Sequence, residues 1–331
     1  MEAAQRIALD VMGGDHAPAA VLDGVRLVLD GGIPAERLLL VGDEAQVRAG
    51  LAERGIAGCD VLHAPEVIGM DEKPGVALRA KPRSSIALAT GAVKQGLAGA
   101  HVSMGNTGAV VGAATVGLKT LEGVRRPGIA ITADLGGQPL TLLDMGANTA
   151  PKPEHLVQYG AMGTALAREV VGVATPRVGL LNIGEEASKG TDFLRESHDL
   201  LAASGQNFIG NVEGGDLFRG VADVIVTDGF TGNVVLKLME GFAEYMLKQF
   251  GAELAQRGAP WARECLGGLA RKVDYAEYGG ALLLGVQGVV VIGHGRSDGR
   301  AVANAIRFAA RALDARVNDA IVRGLAARTD R

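Results

Sequence analysis

The chain has 331 residues, 48% hydrophobic and 21% charged, with a formal net charge of -4. That length fills one large domain or two lobes, and the acidic balance excludes a generally basic, nucleic-acid-binding surface. Four tyrosines, one tryptophan and seven phenylalanines leave little for base stacking, so no nucleic-acid partner is expected.

Strands are predicted at 6–11, 37–42, 59–63, 100–104, 129–133, 139–145, 177–183, 222–227 and 288–293, where short runs are rich in Val, Ile and Leu. Helices are predicted between them, near 18–30, 44–54, 84–98, 109–121, 154–170, 191–204, 233–257 and 299–328. Strands apolar on both faces belong to a sheet covered on both sides. The alternation predicts an α/β chain, a three-layer α/β/α Rossmann-like fold with a mostly parallel sheet. Two stretches break the rhythm. Residues 65–83 carry three prolines and mixed charge and read as a long functional loop. Residues 234–279 are helical but interrupted by Gly258-Ala259-Pro260 and Gly267-Gly268, which predicts two helices joined by a turn. The chain reads as one domain over 1–331, with room for two lobes and a projecting helical pair at about 247–273.

The N-terminus opens strand-like at Arg6 to Val11 and lacks the apolar segment of a signal peptide. No window reaches the ~18 apolar residues of a membrane span. Cys59 and Cys265 form neither a metal-ligand spacing nor a disulfide framework. The expectation is a cytoplasmic enzyme; a binding protein of the same layout is the alternative.

Polar runs at strand ends are where open α/β sheets bind ligands. In the first run, Gly13 and Gly14 permit a sharp turn into a helix. There Asp15 either faces ligand or caps the helix, and His16 either donates to ligand or anchors the loop. Lys73, Arg79, Lys81 and Arg83 lead into Ser84 and Ser85. They form an anion port at a helix start or a solvated loop. Gly105-Asn106-Thr107-Gly108 offers an amide that can donate to an oxyanion or cap a helix. Asp144, with Gly146 and Asn148, either orients Lys189 or a basic loop residue, or is a structural cap. Asn182, Gly184 and Lys189 supply the best cation for developing charge. The Gly210-Asn211 run is a further polar strand end, and Asp228-Gly229-Phe230-Thr231-Gly232-Asn233 repeats the strand–turn–helix scheme. In that scheme Thr231 or Asn233 can cap the helix while free N–H groups hold phosphate. His294 follows the last strand. No HxH, HExxH, CxxC or GxSxG pattern is present, so neither a metal nor an activated serine is expected.

At these residues the chain resembles the bacterial fatty acyl–acyl-carrier-protein:phosphate acyltransferases of phospholipid synthesis. The matching pieces run from Asp10–Pro18 through Lys81–Ser85, Gly105–Gly108, Leu143–Asn148, Leu180–Gly190, Phe208–Glu213, Asp223–Gly241 and Tyr278–Gly288 to His294–Ser297. The resemblance implies an isocitrate/isopropylmalate dehydrogenase-like architecture, related in fold to phosphate acetyltransferases. It implies acyl transfer from acyl carrier protein to inorganic phosphate, giving acyl phosphate for glycerol 3-phosphate acylation. A downstream glycerol-3-phosphate acyltransferase is then a partner. It also implies a homodimer, no cofactor, and contact with the inner face of the cytoplasmic membrane through Leu247 to Val273.

On this reading Lys189, Asn106 and Asn233 are the expected catalytic residues, with His16 and His294 near the leaving group. Substrate would be held by Gly13, Gly14, Lys81, Ser84, Ser85, Gly105, Thr107, Gly108, Asp144, Asn148, Asn182, Gly184, Asn211, Asp228, Gly229, Thr231 and Gly232. The acidic carrier would dock on Lys81, Arg83, Arg263, Arg271 and Lys272. Val234, Leu238, Phe242, Tyr245, Met246 and Phe250 would serve the dimer. Leu254, Trp261, Leu266 and Leu269, with Arg257, would meet the membrane. The runner-up is an NAD-dependent hydroxy-acid dehydrogenase of isopropylmalate dehydrogenase type. It needs a carboxylate cluster of which only Asp223 and Asp228 are visible. A non-catalytic carrier-binding scaffold is the third reading.

Overall fold

The computed structural model describes residues 5–135, 137–256, 258, 261, 266–268, 277 and 279–329. In chain order the elements are β1 (Ile7–Asp10), α1 (Ala19–Asp30), β2 (Leu38–Gly42), α2 (Glu44–Glu53), β3 (Asp60–His63), α3 (Pro74–Ala80), α4 (Ser85–Lys94), β4 (Ala100–Ser103) and α5 (Thr107–Leu118). There follow β5 (Gly128–Asp134), β6 (Pro139–Leu143), α6 (Pro153–Leu166), β7 (Val178–Leu181), α7 (Asp192–Ala203), β8 (Phe208–Val212), β9 (Val224–Val226) and α8 (Gly229–Gln256). The chain closes with β10 (Ala281–Leu284), β11 (Val289–Ile292), α9 (Gly299–Asp314) and α10 (Val317–Thr329). It divides into two compact units, Met1–Pro127 with Tyr278–Ala326, and Gly128–Glu277 with Ala327–Arg331.

In the first unit the strands lie in the order β3-β2-β1-β4-β11-β10. All neighbours are parallel except β10 and β11. Every residue of β1, β2, β4 and β11 is buried, because helices cover these strands. On α1, Val21, Leu22, Val25 and Val28 face inward, and on α9 Val302, Ala305, Ile306 and Ala309 do. This is the i, i+3, i+4 stripe of a core-facing helix. Each fully buried Val, Leu or Ile stabilises by about 1.5–3 kcal/mol. Gly24 sets how closely the two helices pack, since a Cβ there would lie 2.5 Å from Val302 Cγ1. The chain leaves β1 toward β2, while β4 lies on the other side of β1. The strand order therefore switches direction between β1 and β4, where open sheets form a ligand crevice.

In the second unit the order is β5-β6-β9-β7-β8, with β5 and β6 antiparallel and the rest parallel. The chain leaves β7 toward β8, and β9 sits on the other side of β7, so a second switch point separates β7 from β9.

Within the mostly parallel sheet, two hairpins supply the antiparallel pairs. Only residues 135–138 separate β5 from β6, and so short a connection can join antiparallel strands only. The β10–β11 pair repeats this; β10 and β8 were not predicted. Helix α3 interrupts the expected long loop, and α8 starts at Gly229, before the expected 233. Of the expected helical pair, α8 runs to Gln256 and 266–268 are helical. Arg257, Arg263, Cys265, Leu269, Arg271, Lys272 and Val273 lie outside the described residues.

At the strand starts of the second unit, Arg177 clamps Asp223. Its backbone N–H, Nε and Nη2 reach the carboxylate at 2.8, 2.9 and 3.0 Å. Burial alone would raise the Asp223 pKa, but the Arg177 hydrogen bonds and charge outweigh it and hold the carboxyl below its ordinary value. A depressed carboxyl stabilises the fold above its unfolded pKa, about 3.9, and that contribution is lost as pH falls through the folded value. Urea titrations of wild type and Asp223→Asn between pH 3 and 7 should therefore converge as pH falls. A stability gap independent of pH would refute the clamp as an ionic contribution.

Candidate active site

At the switch point of the first unit, Asp10 ends β1 fully buried. Its carboxylate accepts from Ser103 Oγ at 2.7 Å and from Met12 N–H at 3.1 Å. Burial raises its pKa, against the opposing hydrogen bonds of Ser85, Ser103, Met12 and Gly13. Ser103 Oγ in turn accepts from Gly105 N–H at 3.0 Å. The β1 and β4 loops are thus tied together, and Gly13 is where they nearly touch: a Cβ there would lie 2.4 Å from Asp10 Oδ2 and 2.7 Å from Gly105 N. Gly14 has a positive φ of 102°, the region glycine tolerates without strain. The next residue, Asp15, does not cap α1, which begins after Pro18 without a side-chain cap. Asp15 is exposed and its N–H donates to Gly295 O at 2.8 Å. His16 is exposed, and its carbonyl accepts from Ala20 N–H at 3.0 Å. Half-buried His294 turns Nδ1 onto the Arg296 N–H at 3.2 Å.

Asn106 is more occupied than the sequence suggested. Its Oδ1 caps α5 by accepting from Ala109 N–H at 3.1 Å. Its Nδ2 lies 3.2, 3.1 and 3.0 Å from the carbonyls of Gly69, Met70 and Glu72. The residue therefore latches the 65–83 segment onto α5. Lys81 closes the same segment, donating to Glu72 Oε1 at 2.5 Å and Val67 O at 2.8 Å. That bond first, and the Gly69 N–H second, holds the Glu72 pKa below its ordinary value. Ser84 caps α4 through Ala87 N–H, and Ser84 and Ser85 are buried. Thr107 and Gly108 are exposed, and α5 approaches α3 so closely that a Gly108 Cβ would lie 2.5 Å from Pro74 Cγ.

In the second unit Asp144 follows β6, fully buried. It accepts the N–H groups of Ile129 at 2.9 Å, Gly146 at 3.1 Å, Ala147 at 2.9 Å and Asn148 at 2.7 Å. Burial raises its pKa against these bonds. It shapes its own loop; the lysine it was to orient lies nearest Glu186. Asn148 donates to Asp144 and, at 2.8 Å, to the hydroxyl of buried Tyr159, a partner no sequence signal announced. After β9, Asp228 accepts the Thr231 N–H at 2.9 Å and its hydroxyl at 2.7 Å. The helix start is thus capped by Asp228, not by Thr231 or Asn233, and Asn233 is exposed. Gly229 and Gly232 press α8 onto the Asp144 loop. Their Cβ atoms would lie 2.6 Å from Asn148 O and 2.0 Å from Asp144 O.

On the far side of β9 in strand order, Asn182 directly follows β7 and leads to Lys189, which is exposed. The lysine Nζ lies 4.0 Å from Glu186 Oε1. Among the described residues no carboxylate comes closer, so its charge remains available to an anion. Gly184 lets the loop fold back under it, a Cβ there falling 3.0 Å from Lys189 Cγ. Among the described residues no group of three or more His, Cys, Asp or Glu could hold a metal. Asp223 and Asp228, the carboxylates of the dehydrogenase reading, are engaged by Arg177 and Thr231.

A model of the fatty acid synthesis protein family matches residues 5–320. The phosphate acyltransferase of Pelotomaculum thermopropionicum is 46% identical over 322 residues, covering 94% of this chain and 92% of that protein. Among solved structures, a phosphotransacetylase from Streptococcus pyogenes aligns with a TM-score of 0.62 at 18% identity, over 93% of this chain and 94% of that one. A phosphotransacetylase from Staphylococcus aureus gives 0.59 at 16%, with the same coverage. These likenesses show the fold, and they overturn the isocitrate/isopropylmalate dehydrogenase-like expectation in favour of a phosphotransacetylase-like one. With a family model spanning nearly the whole chain and a relative this similar over nearly its full length, the chain is an enzyme of the phosphate acyltransferase family.

Proposed function

We propose that the acyl donor of this phosphate acyltransferase is the thioester of a fatty acyl–acyl carrier protein, and that the acceptor is inorganic phosphate. The observation that carries the reading is Lys189, an exposed cation with no carboxylate closer than 4.0 Å among the described residues, on the loop after β7 beside the switch point of the second unit. A phosphate oxygen attacks the thioester carbonyl, a C–O bond forms, and the carbonyl electron pair moves to oxygen. On collapse the C–S bond breaks and the carrier thiolate leaves with its electron pair. Lys189 offsets the phosphate charge and stabilises the tetrahedral oxyanion. Asn233, exposed near the start of α8 after the neighbouring strand β9, is its proposed polar partner. His16 and His294, in the first unit, are the weaker catalytic candidates. Asn106 serves by latching its loop. Acyl-loaded carrier should release free carrier only when inorganic phosphate is present, with acyl phosphate trapped by hydroxylamine. Release without phosphate, or saturable NAD binding, would refute the assignment.

The acyl phosphate would supply a glycerol-3-phosphate acyltransferase, and with that partner the enzyme would work in the cytoplasm at the inner face of the membrane. No described helix is long and apolar enough to cross a membrane, and exposed Trp261 suits surface contact. Of the expected carrier-docking cations, Arg83 is exposed and Lys81 is committed to Glu72.

A homodimer built on α8 is part of the same proposal. Phe230, Val234, Leu238, Phe242 and Tyr245 repeat every three or four residues along this helix, and each is more than half exposed. Such a stripe marks an interaction face. Light scattering at dilute concentration should give twice the chain mass, and Phe242→Glu should return it to one. A wild-type monomer would sink the dimer.

A further inference from the structure

Two asparagines of the second unit grip the Lys189 loop from adjacent strands. Asn182 directly follows β7 and Asn211 lies in β8, and they are only 8% and 7% exposed. Asn211 Nδ2 donates to the Glu186 carbonyl at 2.8 Å. That carbonyl also receives the Lys189 N–H at 3.0 Å. On the other side, Asn182 Nδ2 donates to the Lys189 carbonyl at 3.2 Å, while its Oδ1 accepts from Ile183 N–H at 2.8 Å. The Lys189 backbone is therefore held at its N–H through Asn211 and at its C=O by Asn182. Gly190 completes the grip: its φ is +85°, and a Cβ there would lie 2.5 Å from Asn182 Oδ1. Beyond the backbone the lysine side chain is half exposed and its Nζ reaches only Glu186 Oε1, at 4.0 Å, among the described residues, so the placement of its base governs where the ammonium can reach.

Asn211 is poorly matched to a role in stability alone. Its Oδ1 is buried with no hydrogen-bond partner among the described residues, and a buried unpaired acceptor opposes folding. We infer that Asn182 and Asn211 are positioning residues that present Lys189 to phosphate, rather than groups that bind substrate themselves. The inference rests on the reading of Lys189 as the phosphate cation.

The test is a double-mutant cycle in the full-length enzyme, with inorganic phosphate and acyl-loaded carrier varied separately. Asn211→Ala should raise the KM for phosphate about fivefold or more, the scale of one lost hydrogen bond, and leave the KM for acyl carrier unchanged. In a Lys189→Ala background the same substitution should change phosphate dependence less than about twofold, because its effect passes through the lysine. Asn182→Ser should follow the same pattern. An Asn211 effect of equal size with and without Lys189, an equal effect on both substrates, or wild-type kinetics for Asn211→Ala would each overturn the inference. Wild-type phosphate kinetics in Lys189→Ala alone would instead overturn the reading of the lysine. Should Asn211→Ala fail to fold, Asn211→Ser keeps a short polar group, and its failure to fold as well would assign Asn211 to stability and overturn the positioning role.

Discussion

Lys189→Ala is expected to lower phosphate-dependent turnover by about 10²-fold or more while the protein stays folded. The size follows from losing a preorganised charge at the position where negative charge develops. Folding is spared because the contacts that order the loop are backbone contacts: alanine keeps the N–H to Glu186 O and the carbonyl to Asn182 Nδ2. The side chain itself is half exposed and its distant contact with Glu186 contributes little. Docking of intact acyl carrier should be unchanged, since a single exposed cation is removed. Steady-state kinetics with varied phosphate, beside circular dichroism and light scattering, reads all of this. A folded mutant with near-normal kcat and phosphate KM would remove Lys189 from the mechanism. Loss of both folding and self-association would show that the lysine is structural.

Gly232→Ala should destabilise the second unit by about 3 kcal/mol or more, at the upper end of overpacking effects. The added methyl would meet the Asp144 carbonyl oxygen at 2.0 Å and its carbon at 3.0 Å. Both are backbone atoms of a loop whose N–H groups are already tied to the buried Asp144 carboxylate, so neither side has room to yield. The helix start would have to lift away from the loop, disturbing the strand-end site as well. Gly241→Ala on the same helix is the control. A Cβ there meets nothing within 4 Å, and replacing an unstrained helical glycine by alanine stabilises by up to about 1 kcal/mol. Urea unfolding should separate the two variants in opposite directions. Equal stabilities would mean that α8 does not approach the Asp144 loop as closely as described.

Much of the layout was legible in the chain because it depends on local chemistry. Ile7–Leu9, Leu38–Gly42 and Val289–Ile292 are apolar on both faces, as in a strand covered on both sides. Ser84 before an apolar helix announces a cap. The family resemblance, carried by ordered strand-end motifs from Asp10 to Ser297, was legible for the same reason: each motif is contiguous.

The chain by itself thus determined where ordered elements begin, which ends carry polar loops, and the family those loops belong to. Only the tertiary structure decided the strand order, the two hairpins and the partners of the polar side chains. Phe208–Val212 escaped notice because Gly210 and Asn211 interrupt its apolar run, yet pairing with β7 holds it as a strand. Asp10 meets Ser103, Asn106 meets Gly69 to Glu72, and Asn211 meets Glu186. Such bonds join residues far apart in the chain and depend on donor–acceptor distances of about 3 Å. Periodicity and propensity describe neighbours within a turn or a strand. They fix no distance between separate segments, so whether an asparagine binds substrate or fastens a loop is settled only when the segments pack.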